Sequence, residues 1–314
     1  MGQDDVQGDI AEGEAGGGQA GEQAGEQAGR QEAAQDAALE VAQEVAQNSN
    51  PDTLVTRQDD SGVTTLTLAQ PRSINALSEA MLRALQSRLD DIAGDRSVRA
   101  VILRGAGDHF CAGHNLKEMT AARGAEDGGF QYFQDLFATC SRMMQRIVTL
   151  PQPVIAEVSG IATAAGCQLV ATCDLAVASQ DARFATSGVN IGLFCSTPMV
   201  ALSRNVARKH AMEMLLLGDF ITADRAADMG LVNRVVPLAE LAQTSRAMAR
   251  QIADKSSAAV KIGKGAFYQQ AQMSLSEAYA YAGRVMAENM MARDAEAGIG
   301  AFISKTAMPD WTGE

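Results

Sequence analysis

The chain has 314 residues, of which 46% are apolar and 20% charged. That composition excludes wholesale disorder and a disulfide-stapled mini-protein, and it fits one large or two modest globular domains. Aromatic residues make up only 4%, so the predicted core is aliphatic. The net charge of −12 is concentrated in residues 1–50, and the remainder carries no basic stripe. We therefore expect no nucleic-acid partner.

Cysteine and histidine usage argues against a metal site. The five cysteines and three histidines show no CxxC spacing and no zinc-ligand pattern. The sequence predicts a cytoplasmic protein with no membrane partner. Its thiols are expected to be reduced, no apolar run is long enough to span a membrane, and no targeting segment is evident.

The chain divides near residue 50. Residues 1–50 contain no aromatic residue and include the repeat AGEQAGEQAG at 20–29. Such a segment buries too little apolar surface to offset the entropy lost on ordering. We predict a disordered acidic low-complexity tail over 1–50, which is also a candidate partner-binding segment.

Strand and helix signals alternate through the next region, 51–205, and predict an α/β core. Ser78 is the candidate N-cap of a helix that Gly94 ends, and a second helix follows over 129–149. Asn115 is the candidate cap of a helix that opens at Leu116. Strands are predicted at 62–68, 99–105, 153–160 and 174–179.

The region 206–314 reads as helical, apart from a short strand within 231–237. Its Met-rich helices are typical of core or subunit-interface faces. The predicted helices span 207–217, 222–229, 238–254, 256–271, 274–291 and 294–304.

Two glycine-bearing loops each follow a predicted strand and lead into a helix, at 105–119 and 160–174. Small residues at a helix start leave backbone N–H groups open to an anionic ligand atom. Two such loops together would suit an oxyanion hole for a thioester enolate. Taken singly, each loop is equally well explained by close packing of a helix on a strand. Neither is a dinucleotide or P-loop motif.

Six segments carry a family pattern, in order and spacing, at 68–78, 108–119, 150–179, 184–194, 222–236 and 296–305. From about Val63 to Trp311 the chain resembles the enoyl-CoA hydratase/isomerase (crotonase) superfamily, and within it the enoyl-CoA hydratase domain-containing members that lack both catalytic glutamates. The resemblance implies a spiral of ββα units followed by a helical C-terminal oligomerisation region, assembled as a homotrimer or hexamer.

The resemblance also implies an acyl-CoA thioester partner, with coenzyme A as part of the substrate and no permanently bound cofactor. It places the two backbone oxyanion donors at Ala112 and Ala165. Arg72 and Ile74 fall in the loop that holds the CoA nucleotide, although Arg72 would also suit an ordinary exposed loop. Further substrate-binding positions are Gly113, His114, Asn115 and Gly166.

The sequence departs from a hydratase at the two acid–base positions. Gln168 and Gly188 stand where the family's hydratases carry glutamate. Neither residue can exchange a proton near neutral pH, and each lost group typically removes a factor of about 10² to 10⁴ in rate. We therefore expect hydration to be weak, and we expect glutamate at both positions to raise it.

Other residues are candidates for the missing chemistry. His114 suits a proton shuttle or only a local hydrogen bond, and Gln168 could orient a water. Cys195, followed by Ser196, is either a nucleophile or a small buried hydrophobe. Glu118 is expected to be a solvated helix charge, and Glu157 a strand residue paired with a neighbour.

Four functions remain open on the sequence alone. They are an acyl-CoA-acting enzyme of the hydratase/isomerase group in acyl-CoA or fatty-acid metabolism, a weak or inactive acyl-CoA-binding protein, an acyl-CoA hydrolase or other enolate-type enzyme, and an interaction role for the tail.

Overall fold

The computed structural model describes residues 51–314. The predicted acidic tail, 1–50, lies outside the described residues. No helix in 51–314 is long and apolar enough to cross a membrane. The same residues contain no group of three or more His, Cys, Asp or Glu side chains able to hold a metal ion.

The larger of two sheets has six strands in the order β1-β2-β3-β4-β6-β9. β1 and β2 are antiparallel, and every later neighbour is parallel. Parallel strands need crossover connections, which the intervening helices supply. The strands are β1 Val55–Asp60, β2 Val63–Leu68, β3 Ala100–Gly105, β4 Val154–Val158, β6 Leu175–Ser179 and β9 Arg234–Val236.

A smaller sheet pairs β5 (Ile161–Thr163) in parallel with β7 (Arg183–Ala185) and β7 antiparallel with β8 (Ile221–Thr222). Its strand β5 follows β4 directly in the chain and lies within the second glycine-bearing loop, 160–174. A single residue, Ala164, separates the end of β5 from the helix that begins at Ala165.

Twelve α-helices are described in 51–314, with short 3₁₀ turns at Pro71–Ser73 and Ser187–Ile191. Ser78 caps α2 by accepting from the Met81 N–H at 3.1 Å, as predicted. The helices are α1 Pro51–Leu54, α2 Glu79–Gly94, α3 Leu116–Ala122, α4 Phe130–Thr149, α5 Ala165–Thr172, α6 Pro198–Asn205, α7 Arg208–Leu217, α8 Ala223–Asp228, α9 Leu238–Ala253, α10 Ser257–Gln270, α11 Leu275–Met290 and α12 Arg293–Ser304.

The predicted α/β core and helical C-terminal region are confirmed. Part of the region after residue 206 completes the core, because β9 joins the large sheet and α9 packs on it. Leu241, Met248 and Ala249 of α9 pack with Ile102 and Ile155 of the sheet. By contrast, no residue of α10 or α11 is buried as a whole, although the Lys264 side chain of α10 is only 6% exposed.

Candidate functional site

The candidate site forms at the carboxyl edge of the large sheet, where β2, β3 and β4 end. Because these strands are parallel, the chain leaves all three at the same edge. Three segments therefore meet there: the loop at 70–77, the loop at 106–115 and the β5–α5 connection.

Asn75 joins the first two of these segments. Its side-chain Nδ2 donates to the carbonyls of Ala106 at 3.0 Å and His109 at 2.8 Å, while its Oδ1 accepts from the Gln70 N–H. Asn75 is fully buried, and both it and Ile74 have positive φ, at 51° and 53°. A β-branched residue in that region is a costly conformation that the surrounding contacts must hold. Asn75 is not among the site residues predicted from the sequence, although asparagine tolerates positive φ better than most residues.

The second loop is bound to β5 and to the start of α5. Cys111 donates its N–H to the Ile161 carbonyl at 3.0 Å and accepts from the Thr163 N–H at 3.0 Å. A Cβ at Gly166 would overlap the Cys111 carbonyl, so only glycine allows this approach. A Cβ at Gly113 would lie 3.1 Å from the Ala165 nitrogen, which places the loop directly against the first turn of α5.

The structure corrects one predicted oxyanion donor. The Ala112 N–H donates to the Ile74 carbonyl at 2.9 Å, so it is not available to a ligand. Two residues along, the backbone N–H of His114 has no acceptor among residues 51–314, and neither has that of Ala165. The N–H groups of His114 and Ala165 are therefore among the open donors of this loop pair, whereas that of Ala112 is not. The sequence motif located the loop but did not indicate that the Ala112 N–H already has an acceptor.

Ala164, the residue before the second donor, is in a strained conformation. Its φ of 50° and ψ of −118° are rarely adopted by a residue with a side chain. Its N–H donates to the Ala185 carbonyl at 3.0 Å. This hydrogen bond to β7 stabilises the strained conformation of Ala164 at the point where α5 begins.

The His114 side chain lies in an apolar setting. Its ring packs edge-on against Phe137 with 5.5 Å between centroids, and its Nδ1 lies 3.3 Å from the Leu77 carbonyl. A carbonyl accepts, so Nδ1 carries the proton in the neutral ring and Nε2 carries the lone pair. Nε2 is buried and has no hydrogen-bond partner in the described residues. Burial lowers the pKa of His114 below its usual value, although the contact with the Leu77 carbonyl acts in the opposite sense.

Gln168 lies on the first turn of α5 and is 5% exposed. Its Oε1 is buried and unpartnered within the described part of the chain. The first turn of α5 therefore contains both the open N–H of Ala165 and the unpartnered acceptor Oε1 of Gln168.

At the second position where hydratases carry glutamate, the chain itself fills the space. A Cβ at Gly188 would overlap the Leu193 carbonyl and lie 2.9 Å from the Cys195 sulfur. Cys195 is buried, and burial raises the pKa of its thiol, although a hydrogen bond from the Gly188 backbone acts in the opposite sense. A protonated, buried thiol is a poor nucleophile, and Ser196 bonds locally to the Phe194 carbonyl at 3.4 Å.

Two further acids have structural contacts. Glu118 was expected to be solvated, and this is wrong: its Oε2 accepts from the Glu79 N–H at 3.1 Å, and its Oε1 accepts from Asn115 Nδ2 at 3.1 Å. Partial burial raises the pKa of Glu118. Asn115 caps α3 through the Lys117 N–H, as predicted. Glu157 is buried and accepts from the Ser245 hydroxyl, so its predicted pairing is confirmed.

Arg72 lies on the exposed 3₁₀ turn Pro71–Ser73. The backbone carbonyl of the nearby Ile74 accepts the hydrogen bond from the Ala112 N–H, so Ile74 contacts the second loop through its backbone. Gly113, His114, Asn115 and Gly166 all lie in the two loops that pack together.

Comparison with known proteins agrees with this architecture. The family model described as enoyl-CoA hydratase/isomerase matches residues 58–314. An enoyl-CoA hydratase from Mycobacterium smegmatis is 53% identical, with a TM-score of 0.79 over 82% of this chain and 98% of its own. The human enoyl-CoA hydratase domain-containing protein 3 is 44% identical, with a TM-score of 0.78 over 82% and 99% of the two chains. These likenesses confirm the predicted crotonase fold.

A curated relative from Xenopus laevis, the mitochondrial enoyl-CoA hydratase domain-containing protein 3, is 46% identical over 259 residues, which cover 82% of this chain and 86% of the relative. Its mitochondrial name contradicts the predicted cytoplasmic location, which rested on the absence of an evident targeting segment. On the match to the family model and this relative, the chain belongs to the enoyl-CoA hydratase/isomerase family.

Proposed function

We propose that this protein binds an acyl-CoA thioester, with the thioester carbonyl oxygen between the backbone N–H groups of His114 and Ala165. The observation that carries the proposal is that both donors lack an acceptor within residues 51–314 and that Gly113 brings their segments into contact. Donors fixed in this way stabilise the charge that develops on the oxygen of an enolate, and one such donor contributes about 3 to 4 kcal/mol in a measured case.

The chemistry we propose is enolate formation with little hydration. Gln168 does not titrate, and the space beside Gly188 is occupied by the Leu193 carbonyl and the Cys195 thiol. The acid–base candidate at this site is His114, whose Nε2 is neutral, buried and unpartnered in the described residues. In this proposal Nε2 accepts a proton from the substrate α-carbon, and Gln168 supplies a neutral acceptor on the first turn of α5.

A second candidate function is acyl-CoA binding without turnover. It is favoured by Gly188, because glutamate could not be restored there without moving the backbone at Leu193. The expectation that paired glutamates would raise hydration therefore meets an obstacle at Gly188, where the Leu193 carbonyl occupies the space of a side chain.

We further propose that the protein assembles as a homotrimer or hexamer. Large apolar side chains on α11 and α12 are more than half exposed, among them Leu275, Tyr279, Met286, Phe302 and Ile303. Clusters of exposed large apolar side chains commonly mark subunit contacts.

The deciding experiment compares butyryl-CoA with its thioether analogue, S-butyl-CoA, by calorimetric titration. The two ligands differ only in that the thioester carbonyl is replaced by CH₂, so the N–H donors predict that the thioester binds at least tenfold more tightly, about 1.4 kcal/mol. Equal affinities would contradict the oxyanion hole, and no binding of either ligand would contradict the function. Exchange of the α-hydrogens of butyryl-CoA with heavy water then separates an enolate-forming enzyme from a binding protein.

A further inference from the structure

The open N–H of His114 lies in a loop, 106–115, that contains no helix and, beyond isolated bridges, no strand. Such a segment keeps its shape through hydrogen bonds to its neighbours, since it has no ladder of its own. Here the neighbours are β5 on one side and the loop at 70–77 on the other. The direction in which the open N–H points therefore depends on both of them.

The loop at 70–77 holds the peptide unit that carries this donor. The Gly113 carbonyl and the donor N–H belong to one planar trans peptide unit, so they point in opposite directions. The Leu77 N–H donates to the Gly113 carbonyl at 2.7 Å, and the Ile74 carbonyl accepts from the Ala112 N–H at 2.9 Å. A movement of the loop at 70–77 would therefore turn the donor N–H.

Asn75 closes the loop at 70–77 and joins it to the start of the loop that carries the donor. Its Oδ1 accepts from the Gln70 N–H at 3.0 Å, and its own N–H donates to the Gln70 carbonyl at 2.9 Å. Its Nδ2 donates to the carbonyls of Ala106 at 3.0 Å and His109 at 2.8 Å. One side-chain amide thus uses its oxygen and both of its N–H groups to connect the two segments.

The last residue of β3 leaves the space that this amide occupies. A Cβ at Gly105 would lie 2.6 Å from Asn75 Nδ2 and would overlap the carbonyls of His109 and Phe110. Asn75 has no exposed surface. A ligand cannot reach it, so it affects the site only through the segments that it joins.

The hydrogen bonds of Asn75 also hold a strained stretch of backbone. Ile74 and Asn75 have φ of 53° and 51°, and positive φ is costly for a β-branched residue such as isoleucine. Such a conformation persists only where the surrounding contacts over-determine it. Without the Asn75 side chain, Ile74 would relax toward negative φ, and its carbonyl would move away from the Ala112 N–H.

We infer that Asn75 is a positioning residue for thioester recognition, which fixes the direction of the His114 N–H without contacting the ligand. The inference rests on the proposed function, because the direction of this donor matters only if a thioester carbonyl binds to it. A misplacement of about 1 Å at a reacting centre can cost about 10²-fold in rate. A small movement of the loop at 70–77 is therefore enough to weaken the donor.

The test measures the affinities of butyryl-CoA and S-butyl-CoA for the full chain and for two variants by calorimetric titration. Asn75→Gly tolerates positive φ and removes every hydrogen bond of the side chain. Asn75→Asp keeps the acceptor for the Gln70 N–H but places an oxygen against the carbonyls of Ala106 and His109, and it decides the question if Asn75→Gly does not fold. In both variants the preference for the thioester should fall from at least tenfold to about twofold or less.

Gln152→Ala is the matched control. Gln152 is also a buried amide whose Nε2 donates to two carbonyls, those of Ile92 at 2.9 Å and Asp95 at 3.3 Å, but it precedes β4 at the opposite edge of the large sheet. Its loss should lower the melting temperature, as in Asn75→Gly, and leave the preference for the thioester unchanged. The ratio of two ligand affinities does not depend on the folded fraction, so it separates positioning from stability.

The infrared band of the bound thioester carbonyl gives an independent measurement. Hydrogen bonds lower its frequency, so the shift on binding should be smaller in both Asn75 variants than in the natural protein and in Gln152→Ala. A natural protein without preference for the thioester would contradict the proposed function and the role of Asn75 with it. A full preference in both Asn75 variants would overturn the role of Asn75 alone, and an equal loss in Gln152→Ala would reduce that role to stability.

Discussion

At the scale of single residues, His114 contributes two separate groups to the site. Its backbone N–H is an open donor, and its side-chain Nε2 is an unpartnered acceptor. A substitution of the side chain removes only the second, so the two roles can be measured apart.

His114→Gln should therefore lower α-hydrogen exchange in butyryl-CoA by about 10²-fold or more while it changes thioester affinity little. The neutral ring is the base, and its pKa is below the usual value. Exchange by the natural protein should thus rise with pH below about 6.5 and then level off. Heavy-water exchange followed by NMR measures both effects.

The matched control is His210→Gln, since His210 lies on α7 near Glu213 and Arg225. It should leave both the rate and the pH profile intact. An unchanged profile in His114→Gln would assign proton transfer to another group.

Gly113 is the residue whose lack of a side chain brings the two donors together. In Gly113→Ala the new Cβ would lie 3.0 Å from the Ala164 Cβ and 3.1 Å from the Ala165 nitrogen, at a φ of 93°. We expect thioester affinity to fall at least tenfold and stability to fall by about 1 kcal/mol or more. Calorimetric titration and urea unfolding measure the two losses.

Gly230→Ala separates the effect of the close contact at Gly113 from the effect of backbone strain at positive φ. Gly230 has a φ of 84°, but its nearest neighbour is 3.7 Å from the added Cβ. It should lose similar stability from the backbone strain and none of the affinity. If both variants lose affinity alike, the close approach at Gly113 is not what forms the site.

At the scale of elements, α10 is tied to the core by one buried side chain. Lys264 donates to the carbonyls of Ile147 and Gln152 and pairs with Asp174 at 2.7 Å. Burial lowers the pKa of Lys264, and the nearby Asp174 charge opposes that shift. Tyr268, one turn later, donates to the other Asp174 oxygen at 2.9 Å.

Lys264→Met should cost about 3 kcal/mol of unfolding free energy, because it leaves the mostly buried Asp174 carboxylate, 14% exposed, without its cation. Lys261→Met, on the same helix, should change stability by about 0.5 kcal/mol or less. Urea unfolding measures the free-energy loss of each variant. A loss below about 1 kcal/mol in Lys264→Met would show that α10 is held by other contacts.

The elements that the sequence predicted are those with a strong apolar pattern. The buried strand within 99–105 and the helix opened by Ser78 were identified because their apolar residues recur at strand or helix spacing. β1 was missed because its residues VTRQDD are mostly polar, although the turn at Ser61 and Gly62, with φ of 50° and 82°, is typical of a hairpin. β5 and β7 have three residues each, too few to show a period.

The site was predicted less completely, for a physical reason. Small residues after a strand indicated where backbone N–H groups are open, but which N–H stays open depends on a distant partner. The Ile74 carbonyl takes the Ala112 N–H, and no local pattern near Ala112 indicates that contact. Likewise the occupied space beside Gly188 comes from Leu193 and Cys195 folding back.

At the scale of the whole molecule, the distribution of apolar surface is uneven. The core around the sheets is fully packed, with Phe110, Phe184 and Leu103 no more than 1% exposed. On the C-terminal helices, Tyr279 and Phe302 are each 75% exposed. A chain that packs its core this closely and leaves such residues in water is expected to cover them with other copies of itself.

We therefore expect light scattering at micromolar concentration to give three or six times the chain mass of 33.0 kDa. The double variant Tyr279→Glu plus Phe302→Glu should shift the mass toward that of one chain, because carboxylates would be desolvated at the contact. Arg284→Glu, which changes the charge of α11 without touching these two side chains, is the matched control for charge. If the natural protein has the mass of one chain, the exposed face serves another purpose. If the double variant keeps the full mass, the contact lies elsewhere, and α7, whose Leu216 and Leu217 are more than half exposed, is the next surface to change.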